Sequence, residues 1–274
     1  MAGLGKGAEM HHSSREAQLG AALVEAADTL SDTFDTVAYL RRLSDHCVAL
    51  LDASAAGIML IEGGETVSFG VSSRQQELAL DLLEVQRHDG PCLECYGSGE
   101  PVPPVAIRAA HASSRWPDFT QRALRYDIGS TFAVPLRRNG TPLGALNVFA
   151  PEPARPSPAL SPAPPPSSPP ADETALLLAQ TLADAAALGL ANHRMFAQHR
   201  TLAGQLQDAL SSRVRIEQAK GILAERRGTG TDEAFIALRR YARSHRLTID
   251  KVATVVITGS QDIAELGREH PGPA

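Results

Sequence analysis

The chain has 274 residues, 43% hydrophobic and 21% charged, and a formal net charge of −5. That length holds one large domain or, more readily, two modest ones, and the composition excludes the disordered class. Three cysteines, Cys47, Cys92 and Cys95, are too few and odd in number for a disulfide framework and fit a reducing compartment.

Residues 1–20 are Gly-rich and polar and include His11 and His12, which predicts a disordered lead without a metal role. The segment also lacks the basic-then-apolar order of a secretory signal. No stretch reaches the roughly 18 to 20 uninterrupted apolar residues that a membrane helix needs. A cytoplasmic protein with no membrane partner is therefore expected.

From Ala21 to Leu51 apolar residues recur at helical spacing through Leu23, Ala27, Leu30, Val37, Leu40, Leu43, Cys47 and Leu51. Two amphipathic helices with a break near Ser31 to Asp35 account for this. Gly57 to Ile61 reads as a buried strand, and Gly63-Gly64 turns it into a partner at Thr66 to Val71. Arg74 to Gln86 returns to a helical period through Leu78, Leu82, Leu83 and Val85. Two apolar runs, Ser130 to Leu136 and Leu143 to Phe149, flank Asn139-Gly140. Asn-Gly between such runs is a strong hairpin signal, because both residues accept the positive φ of a type I′ turn. Strands and helices mixed in this order predict an α+β fold, an antiparallel sheet with helices packed on it.

Ten of the chain's 19 prolines fall between Pro151 and Pro170. This Pro-rich insertion, 151–171, can form neither helix nor ladder and reads as an extended spacer more readily than as a docking site. Beyond it, Asp172 to Arg226 has no proline and a helical period nearly throughout. Alternating steps of four and three through Met195, His199, Leu202, Leu206, Ala209, Arg213, Ile216, Lys220 and Leu223 outline a coiled-coil-like seam, so a homodimer is expected.

Gly228-Thr229-Gly230 ends that helix, and Thr231 reads as the N-cap of the next, with Asp232 and Glu233 in its first turn. Ala234, Phe235, Leu238, Tyr241 and Ala242 form its apolar stripe. A third helix is capped by Thr248 and buries Ile249, Val252, Ala253 and Val256. Three such helices pack as a small bundle.

Charge is uneven along the chain. From Leu202 to Gly259 there are ten basic and six acidic residues, a net of +4 that leaves −9 for the rest. A basic module on an acidic body points to a polyanionic partner. Arg213 and Lys220 are seven residues apart, about 20° around the helix axis. Arg239 and Arg243 are one turn apart on the second helix, with Arg246 just past its end. Close approach of the helices over small Ala219 would gather these cations, whose planar guanidiniums suit phosphates and base edges.

The run from Leu206 to Leu223, with Arg213 and Ile216-Glu217-Gln218-Ala219-Lys220-Gly221, followed by Glu233-Ala234-Phe235, Leu238-Arg239 and Tyr241-Ala242-Arg243, resembles an ANTAR domain. The resemblance implies an RNA-binding domain at 202–263 that takes paired hairpins in nascent transcripts, usually as a dimer, and prevents terminator formation. It implies RNA contacts at Arg213, Lys220, Arg239, Arg243 and Arg246, with Ile216, Ala219, Ala234, Phe235, Leu238 and Ala242 in the core.

Ala55 to Leu60, Gly90-Pro91-Cys92, Gly99-Glu100-Pro101-Val102, Arg115-Trp116-Pro117 and Gly144 to Asn147 resemble a GAF domain. This implies a sensor domain at 21–196, flanking helices included, that responds to an unidentified small molecule or a redox signal. Residues 264–274 are expected to be a disordered tail.

Cys92 and Cys95, as neighbouring thiols, and Trp116, at a loop-to-helix junction, are the ligand or redox candidates. A metal would need His88 and His111 to complete its shell, so no metal site is expected, nor any other cofactor. No phosphate-binding loop, nucleophile elbow or His-Glu-x-x-His is present, so no catalytic residue and no enzyme are expected. The rival readings are a DNA-binding regulator and a protein-binding scaffold. The apolar third helix speaks against a recognition helix in a major groove.

Overall fold

The computed structural model describes residues 5–62, 65–151 and 171–259. The Gly63-Gly64 turn, nearly all of the Pro-rich insertion and the tail at 264–274 lie outside the described residues. Two compact units divide the chain, residues 1–196 and residues 197–274.

The N-terminal unit opens with α1 (Gly5–Ala27) and α2 (Thr36–Leu51). The lead predicted to be disordered over residues 1–20 is thus helical from Gly5. No proline interrupts it, its Ala, Glu, Arg and Gln residues favour helix, and Ala22 and Ala26 bury its C-terminal end in the core. The break before α2 falls where Asp35 caps it, its Oδ1 accepting from the Val37 and Ala38 N–H groups at 2.8 and 3.1 Å.

A five-stranded sheet follows, with β1 (Ala55–Glu62), β2 (Glu65–Val71), β3 (Val102–Ala106), β4 (Ile128–Arg138) and β5 (Thr141–Pro151). Its order is β2-β1-β5-β4-β3, with every neighbouring pair antiparallel. Asn139 and Gly140 close the β4–β5 hairpin with φ of 50° and 78°, the positive pair a type I′ turn requires.

The alternation of the strands splits the core in two. Ala56, Ile58, Leu60, Val134, Leu136, Leu146 and Val148 face α1, α2 and α7 (Ala171–Arg227). Met59, Ile61, Ala133, Ala145 and Phe149 face α3 (Gln76–Val85), α4 (Pro91–Ser98), α5 (Ile107–Ala112) and α6 (Pro117–Arg125). With both faces covered, the central strands read as nearly continuous apolar runs.

By length and composition α7 could cross a membrane. Here Ala179, Leu182, Ala183, Ala186, Ala187 and Leu190 are spent on the sheet-facing core. Gly189 lets α7 approach α1 and α2, for a Cβ there would lie 2.1 Å from Tyr39 Oη and 2.4 Å from the Ala26 carbonyl oxygen. Tyr39 Oη donates to that same carbonyl at 2.9 Å. One turn on, His193 stacks on Phe34 with ring centres 4.0 Å apart.

In the C-terminal unit the end of α7 packs with α8 (Thr231–Ser244) and α9 (Ile249–Thr258). Ala219, Leu223, Ala234, Leu238, Ala242, Val252, Ala253 and Val256 form its core. Thr231 is not the N-cap expected of it. Gly230 holds that place with no side-chain hydrogen bond, and Thr231 is the first helical residue. Thr248 does cap α9, accepting from the Lys251 N–H.

Arg246 ends α8 in the left-handed region with φ 54°. Its N–H donates to the Arg243 carbonyl at 3.3 Å, and the Leu247 N–H donates to the Ala242 carbonyl at 2.8 Å. This is the paired closure usually built on glycine.

Candidate nucleic-acid interface and sensor core

The cations of the C-terminal unit fall into two sets. Arg215 is committed to structure, its Nε and Nη2 donating to Asp250 at 2.8 and 2.7 Å and so tying α7 to α9. Lys220 pairs with Glu217 at 2.8 Å, one turn back on α7, and its side chain is only 15% exposed. Arg213, Arg239, Arg243 and Arg246 are exposed. Asp250 and Glu217 are thus each paired with a cation in this unit.

Phe235 organises part of the exposed set. Its ring is half-buried, with Lys220 Nζ 5.5 Å and Arg239 Cζ 5.7 Å from its centre. A groove of about 290 Å³ runs beside it, lined by Ile216 of α7, Phe235, Arg239, Ala242 and Arg243 of α8, Leu247 of the connection and Ile249 of α9. The structure therefore brings Lys220, Arg239 and Arg243 around one aromatic ring and its groove. Arg246 precedes the lining residue Leu247, and Arg213 sits three residues before Ile216 on α7. In the sequence Phe235 reads as a core position alone, and its partial exposure beside two cations is not legible in periodicity.

The predicted seam along α7 is divided. From Ile216 onward it turns into the bundle, where Leu223 is 3% exposed. Its earlier part is open, with Met195, Leu202 and Leu206 at 45%, 54% and 63%.

In the N-terminal unit Cys92 and Cys95 lie on α4 and are fully buried free thiols. Burial pushes both upward, Cys95 to about 12, so they are neutral and poorly nucleophilic at ordinary pH. Trp116 is 4% exposed and caps the start of α6 in the left-handed region, φ 53°. Its indole N–H donates to Glu94 Oε2 at 3.0 Å, while Arg115 donates to Oε1 of the same carboxylate at 2.5 Å and stacks over the indole at 4.1 Å. The α5–α6 loop is thus clamped onto the helix that carries the two cysteines.

A buried polar chain, absent from the sequence-based candidates, runs beside those thiols. Thr131 Oγ1 donates to Asn147 Oδ1 at 2.6 Å, and Asn147 Nδ2 donates to Gln86 Oε1 at 3.2 Å. The same Gln86 oxygen accepts from the Cys92 N–H at 2.9 Å. Gly90 makes room for it, since a Cβ there would lie 2.4 Å from Gln86 Cγ. The signal available in the sequence was Asn147, a polar residue inside an apolar strand, which buried polar groups justify by being bonded.

A GAF domain family model matches residues 35–190, more than half of the chain. The chain belongs to the GAF domain family. An ANTAR domain model matches residues 204–257, so the GAF sensor precedes an ANTAR domain and the chain has the architecture of a signal-responsive regulator. Both are regulatory domain types.

No curated protein matches the chain. Among solved structures, it is similar to the free methionine-R-sulfoxide reductase from Neisseria meningitidis in complex with its substrate, at 19% identity over 66% of this chain and 90% of that one, TM-score 0.45. The GAF domain of A. aeolicus nlh2 in an inactive state gives 13% identity over 68% and 99%, TM-score 0.43. The reduced fRMsr of Staphylococcus aureus gives 15% over 63% and 94%, TM-score 0.36. No ligand or activity carries over from likeness at that level.

Proposed function

We propose that this GAF–ANTAR chain binds hairpins in nascent RNA and controls transcription termination in response to a signal sensed by its GAF unit. The observation that carries the reading is the exposed set Arg213, Arg239, Arg243 and Arg246 on a segment, Leu202 to Gly259, of net charge +4, with Arg239 and Arg243 bordering a groove beside Phe235. Exposed guanidiniums hold phosphates well and can fork onto base edges. RNA hairpins present both, on the backbone and in unstacked loops.

Two copies engage paired hairpins. The open part of the seam, Met195 to Ala209, supports a homodimer, because leucines more than half exposed on a long helix gain by burial against a second copy. The signal acts through α7, which is one helix from Ala171 to Arg227 and so belongs to both units. The burial of Cys92 and Cys95 favours a small molecule over a redox signal.

Gel shifts with paired RNA hairpins and with duplex DNA test this function. Selective RNA binding is expected, lost in an Arg213→Ala plus Arg243→Ala variant that keeps its native circular dichroism. Preference for duplex DNA would sink the reading. The coupling fails separately if a ligand of the GAF unit alters neither self-association nor RNA affinity.

A further inference from the structure

We propose that residues 113–117, between α5 and α6, are a strained lid latched by Glu94, and that its opening is how a small solute reaches the compartment around Cys92 and Cys95. The lid's use rests on the sensor half of the reading above, and its opening can be measured without RNA.

The lid has a wet side and a dry side. Outside, Arg115 and Glu94 are paired, with side chains 37% and 45% exposed. Inside, Trp116 is 4% exposed and belongs to one apolar cluster with Phe119 and the fully buried Cys92 and Cys95. Its ring meets Phe119 edge-on, with centres 6.1 Å apart. Withdrawing that one indole opens a wall of the compartment. Helix α4 is held independently of the lid, because its Cys92 N–H donates to Gln86 at 2.9 Å. The loop can therefore move while the helix that carries the thiols stays.

Strain favours opening. Ser114 and Trp116 sit in the left-handed region, with φ of 54° and 53°, where a Cβ crowds the backbone. Trp116 also precedes Pro117, a place that prefers extended backbone, yet its ψ is 60°. The Ser114 and Arg115 N–H groups return to the His111 and Ala110 carbonyls of the preceding helix, at 3.1 and 2.8 Å. The side-chain bonds that reach across to α4, from Arg115 and from the Trp116 indole, both end on Glu94. One carboxylate thus opposes the strain of two residues, and breaking its bonds frees the loop to relax toward extended backbone. A solute that binds the opened compartment would draw the population toward that state.

The test is iodoacetamide labelling of the full chain, read cysteine by cysteine by mass spectrometry and normalised to the denatured chain. Cys47 is the internal reference, since it is equally buried but in the cluster on the opposite face of the sheet. In the wild type Cys95 is expected to label faster than Cys47. Its rate should depend weakly on urea where that of Cys47 depends steeply, because lid opening exposes far less surface than unfolding. Glu94→Ala should speed Cys95 about tenfold or more without steepening that dependence. Ser114→Gly relieves the closed lid and should slow Cys95 about two- to fivefold. It carries the test by itself should Glu94→Ala fail to fold.

Equal rates and equal urea slopes for Cys95 and Cys47 would show that only global unfolding admits the reagent, and the lid is overturned. It is overturned as well if Cys95 labels ahead of Cys47 but neither substitution changes its rate, since the opening then lies elsewhere. Either result leaves the RNA reading where the gel shifts put it.

Discussion

The indole N–H of Trp116 donates to Glu94 at 3.0 Å from a side chain that is only 4% exposed. A buried donor stripped of its acceptor costs about 1–3 kcal/mol, so Glu94→Ala should lower the unfolding free energy by that order. Trp116 is the chain's single tryptophan, and its emission reports on this site alone. Urea titration should show an earlier transition, with a native spectrum shifted to the red as water reaches the indole. Glu94→Gln, which keeps an acceptor oxygen, should lose much less. An unchanged midpoint in Glu94→Ala would show that the clamp contributes nothing.

Two glycines on the same helix should respond in opposite directions. Gly189→Ala drives a methyl group against the Ala26 carbonyl and Tyr39 Oη, an overpacking expected to cost about 1–3 kcal/mol. Nothing lies within 4 Å of a Cβ at Gly204, so Gly204→Ala should stabilise by about 1 kcal/mol through helix propensity alone. Thermal melts followed by circular dichroism at 222 nm decide both signs.

Arg246 is held in the left-handed region, which costs a residue with a Cβ about 1 kcal/mol. Arg246→Gly should therefore raise stability by roughly 0.5–1 kcal/mol while weakening RNA binding, since the guanidinium is lost. Opposite signs in a denaturant titration and a gel shift are the expected signature of strain retained for function. A variant both more stable and equally tight would remove Arg246 from the interface.

The three thiols make stability fall at alkaline pH. Burial pushes Cys47 and Cys95 up to about 12 and raises Cys92 as well. Below the ordinary thiol pKa, folded and unfolded chains are alike protonated and the full stability is present. As pH rises beyond it, only the unfolded chain loses protons, so each thiol subtracts about 1.4 kcal/mol per pH unit until its folded value is reached. Urea midpoints should drop from roughly pH 9 upward, and less steeply in a Cys47→Ala variant corrected for its cavity. At pH 8 the native chain should react with a thiol reagent far more slowly than the denatured chain, which exposes all three cysteines.

Local features were the legible ones. The hairpin at Asn139-Gly140 depends on two adjacent residues that tolerate positive φ, and the break before α2 on Asp35 reaching two N–H groups of its own next turn. The stretch from Pro91 to Arg125 was opaque as secondary structure because its elements are short. Its strand β3 contains Pro103 and Pro104, tolerated because β3 is an edge strand and its register shifts between Val102 and Val105, where they stand. The glycines of the lead point away from helix, yet it is helical from Gly5, because no proline interrupts it and Ala22 and Ala26 anchor its end in the core.

Periodicity and spacing alone determined α2, α3, α7, α8 and α9, the central strands, the hairpin and the positions of the cations around α7 and α8, since those follow from each residue's near neighbours. Only tertiary structure decided which of those groups remain available. Arg215 is consumed by Asp250, 35 residues away, and Asn147 meets Gln86 across 61 residues. Burial of Cys92 and Cys95 on α4 makes inert thiols of a reactive-looking pair. The same folding leaves Phe235 at the edge of its core, open on one side beside Arg239 and Arg243. Desolvation and charge pairing depend on atoms delivered by distant segments, and no local pattern encodes which atoms those will be.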